Sequence, residues 1–386
     1  MTYVIKKRKW QRFTVQSIIL LALVLAISVF RQGNFIKDKA AKTKAMAENS
    51  IIADEVELTD AEEEIVEREE SVKTDIVHVK KRSHTYIEIS KSVVSTGSSV
   101  YLYDNYMEQE INLTIDRMEK KGFLQNDIIR YNKGSTFIGK ADENNKKDPV
   151  KSFSIISEKG KNGKYKTDIK IKTKRLYAPE LLETDDAYYI SLAVPSKIYD
   201  KIIVIDAGHG GIDEGTKSFR GHYEKNYNLI ILKELKTLLD SSDSGIKAYY
   251  TRLTDKTISK AARTKLANSL KADLFISIHC NSSEYGDSAP YGIEVLYSKR
   301  KPHNSKLSNK KLAEILLENV AGKVNNKKRG VIRREGLYIM HHSNVPASIV
   351  EVGYMSNKSD LKYIVTKNGQ KKMAEGIYNG ILEALE

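Results

Sequence analysis

A single cysteine, Cys280, stands in a chain of 386 residues. That excludes an intrachain disulfide and a cysteine-rich metal centre, so the compartment has to be read from targeting signals instead. Internal repeats and low-complexity tracts are also missing. The formal net charge of +14 implies affinity for anionic polymers or membrane surfaces, without choosing among nucleic acid, lipid and cell wall. The chain has no nucleic-acid-binding motif, and no nucleic acid is expected as a partner. What is present is a chain long enough for two or three domains, 40% hydrophobic and 30% charged, which is globular rather than disordered on average.

The N-terminus carries a targeting signal. Lys6, Lys7, Arg8, Lys9 and Arg12 precede an uncharged run over residues 13–30, broken only by Thr14, Gln16, Ser17 and Ser28. The run is at the short end for a spanning helix and long for a signal-peptide core. Arg31 and Gln32 follow it in place of a clean small-x-small cleavage site. The expectation is an uncleaved transmembrane anchor, with residues 1–12 as a basic cytoplasmic segment and the rest of the chain outside. A cleaved signal peptide would leave the rest on the same side of the membrane.

Residues 31–82 read as a charged linker. Ten acids between 54 and 70 face one base, Arg68. Charges of one sign at that density repel and keep a segment extended, which favours a solvated stalk over a partner-binding tail. From 83 to 195 the pattern changes to short β-rich stretches at 86–90, 100–103, 110–115, 152–156, 164–176 and 187–194, with turn signals at 132–134 and 159–163. A small all-β domain, a sandwich, is expected there. Lys164, Lys166, Lys170, Lys172 and Lys174 fall on one face at period two. A solvated face or a protected sheet edge is favoured over a contact surface for anionic wall polymer.

From residue 200 to 386 strands and helices alternate. Strands are predicted at 202–206, 246–251, 273–279, 293–297 and 347–352, and helices at 224–240, 259–270, 304–320 and 369–385. Repeated βα units predict an α/β domain, a mostly parallel open sheet with helices on both faces.

In such a sheet, ligands bind outside the carboxyl ends of the strands. The stretch KIIVIDAGHGG at 201–211 runs from a buried strand into a glycine-rich turn carrying His209. His279 ends the strand at 274–278, Glu224 opens the first helix, and Glu351 ends the strand at 347–350 in an apolar setting where an unpaired carboxylate is costly. Two histidines and a glutamate make a catalytic zinc set that leaves a position for water, and a second carboxylate, Glu351, fits a general base. Taken singly each residue has a plainer reading: a helix-start glutamate favours the dipole, and a strand-end histidine can bond a carbonyl. His222 sits on a loop outside the set. His341 and His342 are placed as candidate cleft-lining residues. Asp206 either orients His209 or caps the turn. Cys280, next to His279 in an extended segment, should point away and pack.

The same residues carry a resemblance. IDAGHGG at 205–211, YEKNYNL at 223–229, TRLTD at 251–255, Arg263 with AN at 267–268, ADLFISIHCNS at 272–282, GIEVLY at 292–297 and VPASIVEVGYMSN at 345–357 resemble the zinc-dependent N-acetylmuramoyl-L-alanine amidases of bacterial cell walls. The likeness covers about residues 200–386, in the family's motif order. It implies His209, Glu224 and His279 as Zn2+ ligands, Glu351 as the catalytic glutamate, and peptidoglycan as substrate. The reaction implied is hydrolysis of the amide between N-acetylmuramic acid and L-alanine. Cys280 and Tyr354 depart from the family's usual small residue and phenylalanine. The interval between Tyr297 and Leu337 has room for little beyond one helix, so no autoinhibitory plug is expected. The resemblance also leaves room for a wall or activator protein as partner. The alternatives are another zinc hydrolase on the same polymer, a peptidase or deacetylase, or a non-catalytic wall-binding scaffold.

Overall fold

The computed structural model describes residues 85–386, apart from 92–93, 95–96, 119–124, 161–162, 284–289 and 304. The basic segment 1–12, the anchor expected at 13–30 and the linker 31–82 lie outside the described residues. Among the described residues no helix is long and apolar enough to cross a membrane.

Nine antiparallel strands come first. One sheet has the order β5-β4-β1-β9-β8, built from β1 (Tyr86–Ser90), β4 (Ile128–Asn132), β5 (Ser135–Phe137), β8 (Ala178–Glu183) and β9 (Ala187–Ala193). The other runs β2-β3-β7-β6, from β2 (Val100–Asn105), β3 (Glu110–Met118), β6 (Val150–Lys159) and β7 (Tyr165–Thr173). Alternation decides the packing. On β7, Thr167, Ile169, Ile171 and Thr173 are buried while Lys166, Lys170 and Lys172 are exposed. Ile169 and Ile171 join Ile87, Ile89, Leu113, Ile115 and Ile190 in one core shared by both sheets, so the sandwich forms as expected. The lysine face is solvated, but β7 is no edge: it lies between β3 and β6. Its lysines oppose acids in register, Lys166 with Glu158 and Lys172 with Glu110, so the face carries both signs.

The second half is a six-stranded sheet, order β11-β10-β12-β15-β13-β14. Its members are β10 (Lys201–Ala207), β11 (Ile246–Tyr250), β12 (Leu274–Asn281), β13 (Ile293–Tyr297), β14 (Lys328–Arg333) and β15 (Ala347–Tyr354). β11, β10, β12 and β15 are parallel; β13 runs antiparallel to β15 and pairs in parallel with β14. The sheet is therefore mixed, four strands against two. Helices α1 (Glu224–Asp240), α3 (Asn309–Val324) and α6 (Lys367–Leu385) bury Ile231, Leu235, Leu316, Val320 and Ile377 against Ile203, Ile205, Ile276 and Val350 on one face. Helices α2 (Lys260–Leu270) and α4 (Tyr338–His342) bury Leu266, Leu270, Ile339 and Met340 against Ile202, Val204, Phe275 and Ile349 on the other. A short α5 (Lys358–Val365) precedes α6.

Caps fix the helix ends. Ser259 accepts from the Ala262 N–H and Ser308 from the Lys311 N–H. The Ser308 cap starts α3 at Asn309, later than the residue 304 expected from periodicity. Asn325, left-handed at φ 52°, ends it. The interval 297–337 holds α3 and also β14, a strand the sequence pattern missed. α3 and α6 approach closely because α6 has Gly376 at the crossing: a Cβ there would lie 2.7 Å from the Val320 Cα.

The sandwich meets the exposed edge of this sheet through Tyr106. Its hydroxyl accepts from the Tyr250 N–H at 3.0 Å and donates to the Tyr250 carbonyl at 2.7 Å, so one side chain satisfies both groups that a neighbouring strand would pair.

Candidate metal centre

The carboxyl ends of β10, β12 and β15 gather the predicted residues. His209, Glu224 and His279 offer ligand atoms that all lie within 4.8 Å of one another. Glu224 is buried, and each of its oxygens faces one imidazole: Oε2 is 3.2 Å from His209 Nε2, and Oε1 is 2.9 Å from His279 Nδ1. The carboxylate is fixed from behind. Oε2 accepts from the Thr216 N–H at 2.9 Å, and Oε1 accepts from the Cys280 N–H at 3.1 Å and Asn228 Nδ2 at 3.3 Å. Gly208 leaves room for this geometry, since a Cβ on it would sit 2.3 Å from the His279 ring. Two imidazoles and a clamped carboxylate, converging without a bulky neighbour, fit a divalent metal ion.

The electrostatics of the three are coupled. Burial alone would raise the Glu224 carboxyl, but hydrogen bonds from His209 and His279 hold it well below the usual carboxylate range. Burial pulls His279 down, yet the bonded Glu224 carboxylate outweighs it and lifts the imidazole to about 9. His209 moves upward for the same reason.

The chain around His209 is held by partners the sequence did not assign. His209 itself has φ 60°, left-handed for a non-glycine residue, a conformation that costs energy and needs support. Arg263 gives it: Nη2 donates to the His209 carbonyl at 2.7 Å and Nη1 to the Ala207 carbonyl at 2.7 Å. Arg252, fully buried, donates to the carbonyls of Ala207 at 3.0 Å and Gly208 at 2.9 Å. Both lie in stretches quoted above for their likeness, but nothing in their spacing says which carbonyls they reach.

Asp206 does not orient His209. It is completely buried and binds Arg263, with Thr251 and Ser277 donating to it at 2.5 Å each. Burial would raise it, but Arg263 and the two hydroxyls keep it low. The residue that fixes the His209 ring is Asp213, whose Oδ1 lies 2.7 Å from Nδ1. Its signal was an acid four residues after the histidine in the same glycine-rich loop.

Glu351 stands in register with His279 on β12 and, on its other side, with Glu294 on β13. Residues paired across strands share a sheet face about 4.8 Å apart, so the three form a row. Glu351 is only partly exposed, and its Oε2 is buried without a hydrogen-bond partner among the described residues. Burial pushes the carboxyl up to about 7, with His279 opposing and Glu224 and Glu294 reinforcing. Glu294 accepts from Arg329 Nε at 2.6 Å, Tyr354 Oη at 2.8 Å and Asn281 Nδ2 at 3.1 Å.

The remaining histidines lie elsewhere. His222 Nδ1 pairs with the Tyr227 hydroxyl at 2.8 Å. His341 and His342 belong to α4, between the end of β14 and the start of β15, and the His342 carbonyl accepts from Asn268 at the end of α2. That is the amino end of the parallel strands, opposite the cluster, so they do not line the cleft: β14 runs against β15 and delivers its C-terminal residues there. The Cys280 side chain packs into the apolar core as expected, while its N–H serves Glu224.

An α/β sheet presenting two imidazoles, a clamped carboxylate and a further buried acid at its strand ends has the donor set that a metal-dependent hydrolase uses. A family model described as N-acetylmuramoyl-L-alanine amidase matches residues 203–383. The uncharacterized protein YqiI of Bacillus subtilis is 31% identical over 185 residues, which are 48% of this chain and 84% of YqiI. The N-acetylmuramoyl-L-alanine amidase LytC of the same organism is 32% identical over 183 residues, 47% of this chain and 35% of LytC. Among solved structures, the catalytic domain of CwlV, an N-acetylmuramoyl-L-alanine amidase from Bacillus (Paenibacillus) polymyxa var. colistinus, has 32% identity and a TM-score of 0.44, covering 48% of this chain and 98% of that one. The chain belongs to the N-acetylmuramoyl-L-alanine amidase family.

Proposed function

We propose that residues 200–386 form a zinc amidase domain that hydrolyses the amide between N-acetylmuramic acid and the L-alanine of the stem peptide in peptidoglycan. The observation that carries this reading is the placement of Glu351: one strand from His279, beside the three-ligand cluster, with a buried oxygen that no described residue satisfies. His209, Glu224 and His279 would hold the zinc. When bound, it supplies Lewis acidity to a water molecule and to the scissile carbonyl.

The chain's own residues do the rest. Asp213 sets the His209 ring through Nδ1, leaving Nε2 as the ligand atom. The N–H groups of Thr216 and Cys280 hold the Glu224 carboxylate in place. Glu351 accepts the proton of the attacking water at its carboxylate and returns it to the leaving amine. Burial raises this carboxyl above the ordinary carboxylate range, which favours a group that both takes and returns a proton.

The same reading keeps residues 13–30 as a membrane anchor, so that the catalytic region works outside the cytoplasm. The supporting observations are the basic flank of the apolar run and the charged stretch that follows it.

Digestion of purified peptidoglycan tests the reaction. Mass spectrometry should find free stem peptides beginning with L-alanine, and none with His209→Ala, which also loses zinc. Peptides cut internally, or deacetylated sugars, would assign the site to a rival hydrolase. An untouched wall would leave the binding-scaffold reading.

A further inference from the structure

The row His279–Glu351–Glu294 does not stop at Glu294. Its next register partner is Gly330 on the edge strand β14, and the residue before it, Arg329, has a side chain 30% exposed whose guanidinium reaches back to the row. Nε is tied to Glu294, Nη1 donates to the Tyr291 carbonyl at 3.4 Å, and the guanidinium carbon lies 5.1 Å from the Tyr354 ring centroid. Lys327 is also exposed, with its ammonium 5.0 Å from the centroid of the Tyr291 ring, and it has no carboxylate partner among the described residues. Tyr291 is 43% exposed. A basic and aromatic rim therefore begins beside Glu351 and runs outward along β14.

Among the described residues the acids bonded along this rim are already committed, Glu294 to Arg329 itself. Glu294 is held by three donors. Asp360 is buried and accepts from the Gly292 and Tyr354 N–H groups and from Asn326 Nδ2. Neither reaches Lys327. The loop between β10 and α1, on the other side of the cluster, exposes Ile212 and Phe219 and carries cations of its own, Arg220 over the Phe219 ring and Lys217 over the Tyr223 ring.

We propose that Lys327, beside the Glu294-bound Arg329, binds a free carboxylate of the stem peptide and so draws the peptide toward β14. This rests on the amidase reading above. Reach supports it. Two strand spacings, about 9.6 Å, separate the Glu351 strand from β14. An extended peptide covers about 3.3–3.6 Å per residue, so the second and third residues beyond the scissile amide arrive at the rim. A carboxylate there meets the Lys327 ammonium, whose charge-assisted bonds are strong.

The test uses the full chain, loaded with zinc, and two soluble muramoyl-peptides. One carries free carboxylates on its second and third residues; the other is amidated at both. The wild type should show a KM roughly tenfold lower for the free acid, with similar kcat. Lys327→Glu should collapse that KM ratio to about one, and Lys327→Arg should keep it. Because Lys327 is exposed, neither change threatens folding. A wild-type ratio near one, or an unchanged ratio in Lys327→Glu, overturns the inference while leaving the amidase reading intact. Cleavage of neither compound by the wild type overturns both.

Discussion

Glu351→Gln should make this protein more stable and stop its chemistry, and the two effects should separate with pH. The folded chain raises the Glu351 carboxyl from 4.5 to about 7, chiefly by burial. The sign follows from linkage. Below pH 4.5 the group is protonated in both states and contributes nothing. Between 4.5 and 7 the unfolded chain ionises while the folded chain resists, so the wild type loses stability as pH rises. Above 7 the loss is complete, at most about 3 kcal/mol at 1.36 kcal/mol per pH unit. Glutamine has nearly the same shape and no charge to desolvate. For a region of this size each kcal/mol moves the melting temperature by roughly 2–4 °C, so metal-free Glu351→Gln should melt up to about 10 °C above metal-free wild type at pH 8, with the gap closing toward pH 4.5. Zinc should shrink the gap, because a cation beside the carboxylate offsets its desolvation. Peptidoglycan cleavage should fall by about 10²–10⁴, the range for losing a general acid–base group. Calorimetry of both proteins from pH 4.5 to 8, with and without chelator, measures the first effect, and release of peptides with N-terminal L-alanine measures the second. A variant that melts below the wild type at pH 8, or that keeps full activity, would refute the argument.

Two further outcomes follow from the cluster. Asp213→Asn replaces an anionic partner of His209 Nδ1 by a neutral one and should weaken zinc binding roughly 10–100-fold, read by competition with a chelating dye; unchanged affinity would mean that the loop alone sets the ring. The metal-free wild type should lose stability as pH rises from 6.5 to about 9, because the folded state lifts His279 above its unfolded value and that stabilisation is complete only below 6.5. A flat melting profile over that window in chelator would contradict the bonded His279–Glu224 pair.

Much of this was legible in the chain itself. The unbroken apolar run at 202–205 reads as a buried strand, and the glycines after it as a turn. His209, Glu224 and His279 could be placed at matching ends of one sheet because βα order forces strand ends to one edge. Helix α1 was bounded correctly from its apolar spacing. The lysines of β7 were placed on one solvated face by period two alone. Other things were not legible. Periodicity does not say which strand neighbours which, so the reversal of β13, the existence of β14 and the row His279–Glu351–Glu294 came only from pairing. His341 and His342 looked close to Glu351 in sequence, yet β14, which runs against β15, carries them to the far end of the sheet.

The amino-acid order alone pointed to most of the elements, to the sheet edge carrying the candidate site, and to His209, Glu224 and His279, which the structure brings together with Glu351 one strand away, because burial patterns and strand-end placement are local consequences of sequence. The tertiary structure alone decided who supports them. Asp206 serves Arg263 rather than His209, Arg263 and Arg252 hold the carbonyls of the turn, Asp213 sets the imidazole, and Glu351 is left with a buried oxygen unpaired among the described residues. Those contacts join residues tens of positions apart, and no spacing along a chain encodes which long side chain will reach which carbonyl.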